Sequence, residues 1–221
     1  MMSGFEVYNS AGALTIDSNN RSTVSGQLKY IDRPLMDYGY YTAVKSAFGT
    51  GAQLGFLPYQ FFETNNPTLS VWCQMTIDGE YAFPGAGMFH ATNSARFMIT
   101  RNDTAISSGY LDCFDGSGRL VWSASAAGTM PRIVGFFTIP AGYNLANTIT
   151  INTPANPWFL YSAMPFNVSD GEGALGYSGI AVKRVNATTW QLQYPNQYQR
   201  SYLDAVGNRE LRIPLAYFTG Y

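Results

Sequence analysis

Apolar and polar residues alternate over short stretches along much of the chain. Phe5 and Val7, then Leu14 and Ile16, follow this pattern near the start, and Leu111 and Cys113, then Leu120 and Trp122, repeat it later. Longer runs are LSVWCQMTI at 69–77, ARFMIT at 95–100 and LRIPLAYF at 211–218. A period of two puts every second side chain on one face of a strand, so these runs predict half-buried β-strands. Gly, Asn, Asp and Pro separate them, and Pro140, Pro154, Pro157 and Pro165 fall between apolar runs as edge and turn residues do. INTPANPW at 151–158 reads as a long connection. No stretch keeps a helical period. SYLDAVGNREL at 201–211 is broken by Gly207-Asn208 and reads as a turn feeding the last strand.

Two stretches share one internal spacing, VYNSAGALTID at 7–17 and CFDGSGRLVWS at 113–123. Asn9 and Asp115 stand where a side-chain oxygen accepts from the backbone two residues on, and Gly12 and Gly118 where a hairpin turn needs a positive φ. Both therefore predict β-hairpins, each with one buried face. A phosphate loop requires a following helix with Lys, and a calcium loop requires carboxylates at alternate positions; neither stretch has them.

Laying residue n over n+106 extends the likeness: Glu6 falls on Asp112, Thr23 on Thr129, Tyr30 on Phe136 and Pro34 on Pro140. Beyond that the register shifts, but PYQF at 58–61 answers to PFNV at 165–168, and the Asp78-Gly79 turn to that around Asn186-Ala187. The expectation is an all-β, antiparallel protein of two similar β-sandwich-like halves, 1–106 and 107–221, arising from tandem duplication of a unit of about 105 residues. Against this stands the general rhythm of antiparallel β proteins, which also space aromatic strands and Asn/Gly turns regularly.

Composition narrows the function. Charged residues are 12% of the chain, 13 basic against 14 acidic, so there is no basic footprint for nucleic acid or for an anionic membrane. The first residues, MMSGFEVYNS, lack the basic and apolar blocks of a secretory signal, and no run of about 18 apolar residues exists to cross a membrane. The expectation is a soluble protein made in a cytoplasm. Cys73 and Cys113 both sit in alternating apolar runs and read as small core residues, not as a disulfide or metal pair. The sequons at Asn20, Asn102, Asn167 and Asn186 are what so Asn-, Ser- and Thr-rich a chain yields by chance.

Catalytic residue types are sparse. His90 is the one histidine, with no nucleophile elbow to serve, and one His with two separated Cys does not make a zinc set. Asp78 with Glu80 and Asp170 with Glu172 are close carboxylate pairs, but both lie in Asp-Gly-Glu turn sequences and read as solvated turns. Neither a catalytic residue, a metal nor a cofactor is expected. What remains is Tyr, Trp, Asn and Ser in loops, the chemistry of adaptable recognition. Tyr40, Tyr41, Trp158, Tyr161, Tyr198 and Tyr202, in MDYGYYT, NPWFLY and YPNQYQRSY, are the candidate exposed contacts. The competing reading for each is burial in the core or in an oligomer interface.

MMSGFEVYNSAGALTIDSNNRS resembles the N-terminal signature of small tail proteins of long-tailed enterobacterial phages, encoded near the tail-tip and tail-fibre genes. Gly4, Phe5, Val7, Tyr8, Asn9, Gly12, Leu14, Asp17, Ser18 and Arg21 carry the likeness, which covers about the first twenty residues. It implies a virion component synthesised in the host cytoplasm, with other tail proteins and a host outer-membrane protein or surface glycan as partners. The leading expectation is a non-enzymatic tail protein with a structural or host-receptor-recognition role. A lectin-like module, or a glycan hydrolase with carboxylates about 5 to 9 Å apart, is the alternative expectation. Oligomeric state is left open.

Overall fold

The computed structural model describes residues 5–10, 12, 14–18, 22, 24–30, 41–44, 53–59, 71–72, 74–75, 81–84, 96–160, 166–169, 176–194, 196–197 and 201–221. In chain order the strands are β1 (Glu6–Tyr8), β2 (Leu14–Asp17), β3 (Val24–Tyr30), β4 (Tyr41–Val44), β5 (Gln53–Leu57), β6 (Val71–Trp72), β7 (Gln74–Met75), β8 (Tyr81–Pro84), β9 (Arg96–Arg101) and β10 (Asp112–Phe114). They continue with β11 (Leu120–Ser123), β12 (Arg132–Ile139), β13 (Ile149–Asn152), β14 (Trp158–Leu160), β15 (Phe166–Ser169), β16 (Gly176–Gly179), β17 (Ala181–Arg184), β18 (Thr189–Gln193), β19 (Asn196–Gln197) and β20 (Leu211–Tyr217). Every described pairing is antiparallel, from hairpins to the long-range ladders. The all-β expectation is met.

A six-stranded sheet in the order β12-β20-β14-β5-β9-β3 forms the centre, and a four-stranded sheet in the order β13-β18-β17-β6 packs on one of its faces. Alternation supplies the contact. Phe137 and Ile139 of β12, Ile213 and Leu215 of β20, Phe159 of β14, Leu57 of β5 and Ile99 of β9 meet Val182, Trp190 and Leu192 of the smaller sheet in one buried cluster. The Phe159 and Trp190 rings meet edge to face with centroids 4.6 Å apart, the arrangement that places a positive ring edge on a negative face. Burying each such side chain stabilises by about 1.5–3 kcal/mol.

The opposite face of the large sheet is also apolar. Phe56, Met98, Trp158 and Ala216 are buried there with Phe218, whose ring stands edge-on to Phe56 at 5.2 Å and to Trp158 at 5.1 Å. Burial on both faces explains why LRIPLAYF carries a nearly continuous apolar run towards its end. Pro214 lies inside this run although β20 is a central strand, and proline has no N–H for a ladder. It pairs with Phe136 on the β12 side, while the β14 ladder stops at Phe159↔Leu215, one position short of it.

The boundary expected between residues 106 and 107 falls in the connection from β9 to β10, yet the six-stranded sheet takes three strands from each side of it. The halves therefore share a sheet, and Leu57 and Ile99 share a core with residues of the second half.

Two local expectations change. Tyr202–Val206 forms one turn of helix, α1. Ser201 accepts from the Asp204 N–H at its start, and Gly207, at φ 69°, closes it, so capping at both ends defines a turn too short to show a period. The connection within INTPANPW is only 153–157, because Ile151 and Asn152 end β13 and Trp158 begins β14.

Candidate binding surface

The two motif stretches form hairpins built alike. In β1–β2 the partners are Glu6↔Asp17, Val7↔Ile16 and Tyr8↔Leu14; in β10–β11 they are Asp112↔Ser123, Cys113↔Trp122 and Phe114↔Leu120. Each pair of one becomes a pair of the other on adding 106, and the register shifts at the same place in both. The turns close through Gly12 N–H to Asn9 O and Gly118 N–H to Asp115 O, each 2.9 Å. Gly12 and Gly118 take φ of 73° and 77°, the left-handed region in which a Cβ is strained. The positive φ expected at Gly12 and Gly118 is therefore present, and Asp115 makes the side-chain bond expected of it, to the Ser117 N–H; the residue two on from Asn9 lies outside the described residues.

The bulge alters which side chains are covered. It leaves Thr15 and Val121 opposite no partner, so Leu14 and Ile16 occupy adjacent pairs instead of one uninterrupted face. Leu14 is 37% exposed and Val121 is fully buried. Phe5, Val7 and Ile16 of the first hairpin line a groove of about 650 Å³ with their counterparts Leu111, Cys113 and Trp122 of the second. Three of its lining residues, Phe5, Leu111 and Phe114, are more than half exposed, and Tyr8 and Tyr110, close by in the chain, are exposed as well, Tyr110 at 87%. A second, larger hollow of about 930 Å³ lies between the first hairpin and the large sheet, where Leu14 and Ile16 face Phe56, Ile133, Phe136 and Leu160.

Polar groups anchor the hairpins differently. The Asn9 side-chain amide donates to the Ile133 carbonyl of β12 at 2.6 Å. Asp115 turns inward instead, accepting from the backbone N–H of Ser117 and of Arg119, both at 2.9 Å, and from the Arg119 guanidinium at 3.0 Å. The Arg119 N–H, followed by that of Ser117 and then by the guanidinium, holds the Asp115 carboxyl below its ordinary value. Asp112 is lowered too, first by the Ser108 hydroxyl, then by Ser123 and by the Gly109 N–H. On the first hairpin the Tyr8 hydroxyl donates to Glu6 at 2.6 Å, and this bond, with burial and the charges of Glu6 and Asp17, raises the phenol. Cys113 is a free thiol, half-buried in the groove wall.

Of the expected contact residues, two are corrected. Trp158 is 6% exposed, held between Phe218 and Tyr221 on the large sheet. Tyr202 is 2% exposed, packed edge-on to Tyr194 at 5.5 Å. Both rings fill the interior because the sheet is covered on both faces and α1 folds onto the core. Tyr41 begins β4. Tyr40, Tyr161 and Tyr198 lie outside the described residues, as do His90, Cys73, Asp78, Glu80, Asp170 and Glu172. Sequence reasoning missed Phe5, Tyr8, Tyr110, Leu111 and Phe114 as surface. Strand length could not have found them, since β14 is also three residues long and buries Trp158 and Phe159. Among the described residues no three His, Cys, Asp or Glu gather to hold a metal ion, and no helix is long and apolar enough to cross a membrane.

These observations define an antiparallel β protein with exposed apolar side chains gathered on two equivalent hairpins. The chain belongs to the family described as Domain of unknown function (DUF8377), whose model matches residues 2–220. No curated protein and no solved structure matches the chain significantly.

Proposed function

We propose that this protein is a non-enzymatic component of a bacteriophage tail, structural or receptor-recognising, that docks through its paired hairpins. The observation that carries the reading is the open apolar groove wall: Phe5, Leu111 and Phe114, each more than half exposed, on two hairpins facing one groove. Rigid aromatic side chains provide contact area at low entropy cost, and exposed apolar clusters mark interaction surfaces. The resemblance of the first twenty or so residues to tail-tip-associated proteins supports the virion as its location. Other tail proteins are the first partners of this face; a host outer-membrane protein or surface glycan is the second.

The test combines two readouts on the encoding phage: the protein's presence in purified virions, and the ability of excess purified protein to block adsorption to host cells. The triple variant Phe5→Ser, Tyr110→Ser, Phe114→Ser, with its melting temperature checked, is carried through both. Loss of incorporation or of blocking by a folded variant supports docking through the hairpins. A folded variant that performs as wild type in both readouts removes the hairpin face from the proposal, and absence of the wild-type protein from virions together with no blocking removes the tail role.

A further inference from the structure

We infer that the chain is a fused dimer: two copies of one unit joined edge to edge, with the β5–β14 contact as a self-complementary interface about a local two-fold axis. This surface fits a second copy of the same unit, and the chain supplies that copy itself. The inference is independent of the tail proposal.

The ladders carry it. Adding 108 to each β3 residue and 116 to each β9 residue turns Val24↔Arg101, Ser25↔Thr100 and Gln27↔Ile99 into Arg132↔Tyr217, Ile133↔Ala216 and Gly135↔Leu215, which are the observed β12–β20 pairs. Leu28↔Met98, Lys29↔Phe97 and Tyr30↔Arg96 follow into Phe136↔Pro214, Phe137↔Ile213 and Thr138↔Arg212, and the residue skipped in the first strand, Gly26 or Val134, is equivalent as well. The same 116 with 104 for β5 turns Leu54↔Thr100 and Gly55↔Ile99 into Trp158↔Ala216 and Phe159↔Leu215. All four β4–β8 pairs become the four β13–β18 pairs on adding 108. Generic β rhythm repeats spacing; it does not reproduce registers and a skipped residue together.

The junction obeys its own symmetry. With 104 relating β5 to β14, Phe56 corresponds to Leu160, and these two residues are paired with each other. A pair made of equivalent residues maps onto itself only if the operation is its own inverse, which is the mark of an isologous contact. The order β12-β20-β14-β5-β9-β3 reads from each edge as first, last and middle strand of one unit. The hairpins agree, since the first reaches β12 through Asn9 and Ile133, while Val121 of the second accepts from the Ser22 N–H just before β3.

A two-fold makes crossed distances equal, because the span from a site in one unit to a second site in the other is unchanged when the units are exchanged. The test uses the full chain with Cys73→Ala and Cys113→Ala and paired spin labels read by dipolar spectroscopy. Labels at Thr42→Cys with Arg212→Cys are compared with labels at Thr150→Cys with Arg96→Cys. A second comparison, independent of both arginines, sets Thr42→Cys with Gly116→Cys against Thr150→Cys with Ser10→Cys. Each variant is first shown to melt as the unlabelled chain does. The expected result is mean distances that agree within one strand spacing, about 5 Å, in each comparison whose variants fold. A larger difference in either comparison overturns the two-fold.

Discussion

In the second half of the chain, β13 and β18 pair Ile149 with Leu192 and Ile151 with Trp190; in the first half, β4 and β8 pair Tyr41 with Pro84 and Ala43 with Ala82 in a ladder of the same register. The large sheet shows the same contrast, since Phe137 and Phe159 stand at ladder positions that Lys29 and Gly55 hold in the first half. Backbone hydrogen bonds are indifferent to side-chain identity, whereas a core is a volume to be filled. The comparison therefore teaches that a ladder can persist while the side chains it carries change in kind and volume. The hairpins repeat the lesson on a smaller scale. Asn9 and Asp115 hold one position, but an amide donates and an ionised carboxylate does not. Asn9 thus reaches the Ile133 carbonyl, while Asp115 gathers the N–H groups of its own turn.

The strongest way to break the contrast is to remove what the second half has in place of Ala82. Trp190→Ala leaves a void beside Phe159 and is expected to destabilise by about 3–5 kcal/mol in chemical denaturation; a loss under about 1 kcal/mol would mean that this core does not dominate stability. Next come the glycines, where the hairpins are expected to behave alike. A Cβ at Gly12 or Gly118 meets no atom within 4 Å, so Gly12→Val and Gly118→Val should each cost about 1–3 kcal/mol, from the positive φ alone. Melting curves that leave either variant unchanged would show that turn to be misassigned.

Smaller effects separate the hairpins. Asn9→Ala removes a donor to a half-buried carbonyl and is expected to cost about 0.5–1.5 kcal/mol, with hydrogen exchange rising in β2 and β12; exchange confined to the turn would argue against the cross-sheet anchor. The smallest effect is a pH dependence of the second turn. The Asp112 and Asp115 carboxyls are lowered in the folded protein, so their contribution is fully present above the unfolded value, about 3.9, and is lost as pH falls through the folded values. The protection of the Ser117 and Arg119 amides, taken relative to their intrinsic exchange rates at each pH, should therefore fall on acidification, and Asp115→Asn should flatten that response. Asn9 does not titrate, so the first turn has no matching dependence.

The strands and both turns were legible because each is coded locally. Alternation over a few residues states which side of a strand is covered, and a glycine four positions into Asn9–Gly12 or Asp115–Gly118 states where φ turns positive. Burial of the aromatics was not legible in the same way. Trp158 and Tyr202 have the same residue types and Pro- or Ser-rich neighbours as exposed loop rings; only the second covered face of the large sheet and the folding back of α1 place them inside. The exposed hairpin residues were misread in the opposite sense. Phe5 and Leu111 alternate as core residues do, but they stand where the hairpins open onto their groove and are 57% and 59% exposed.

By itself the sequence determined the all-β class, the antiparallel hairpins and the recurrence of one turn motif. These depend on side-chain period and on φ, which act within a few residues. Only the tertiary structure decided that three strands from each half join in one sheet, that Phe56 meets Leu160, and that two hairpins 106 residues apart face a common groove. Edge-to-edge pairing between distant strands is carried by backbone groups that every residue but proline possesses, so the choice of partner is written in the packing of the whole chain and not in any one stretch of it.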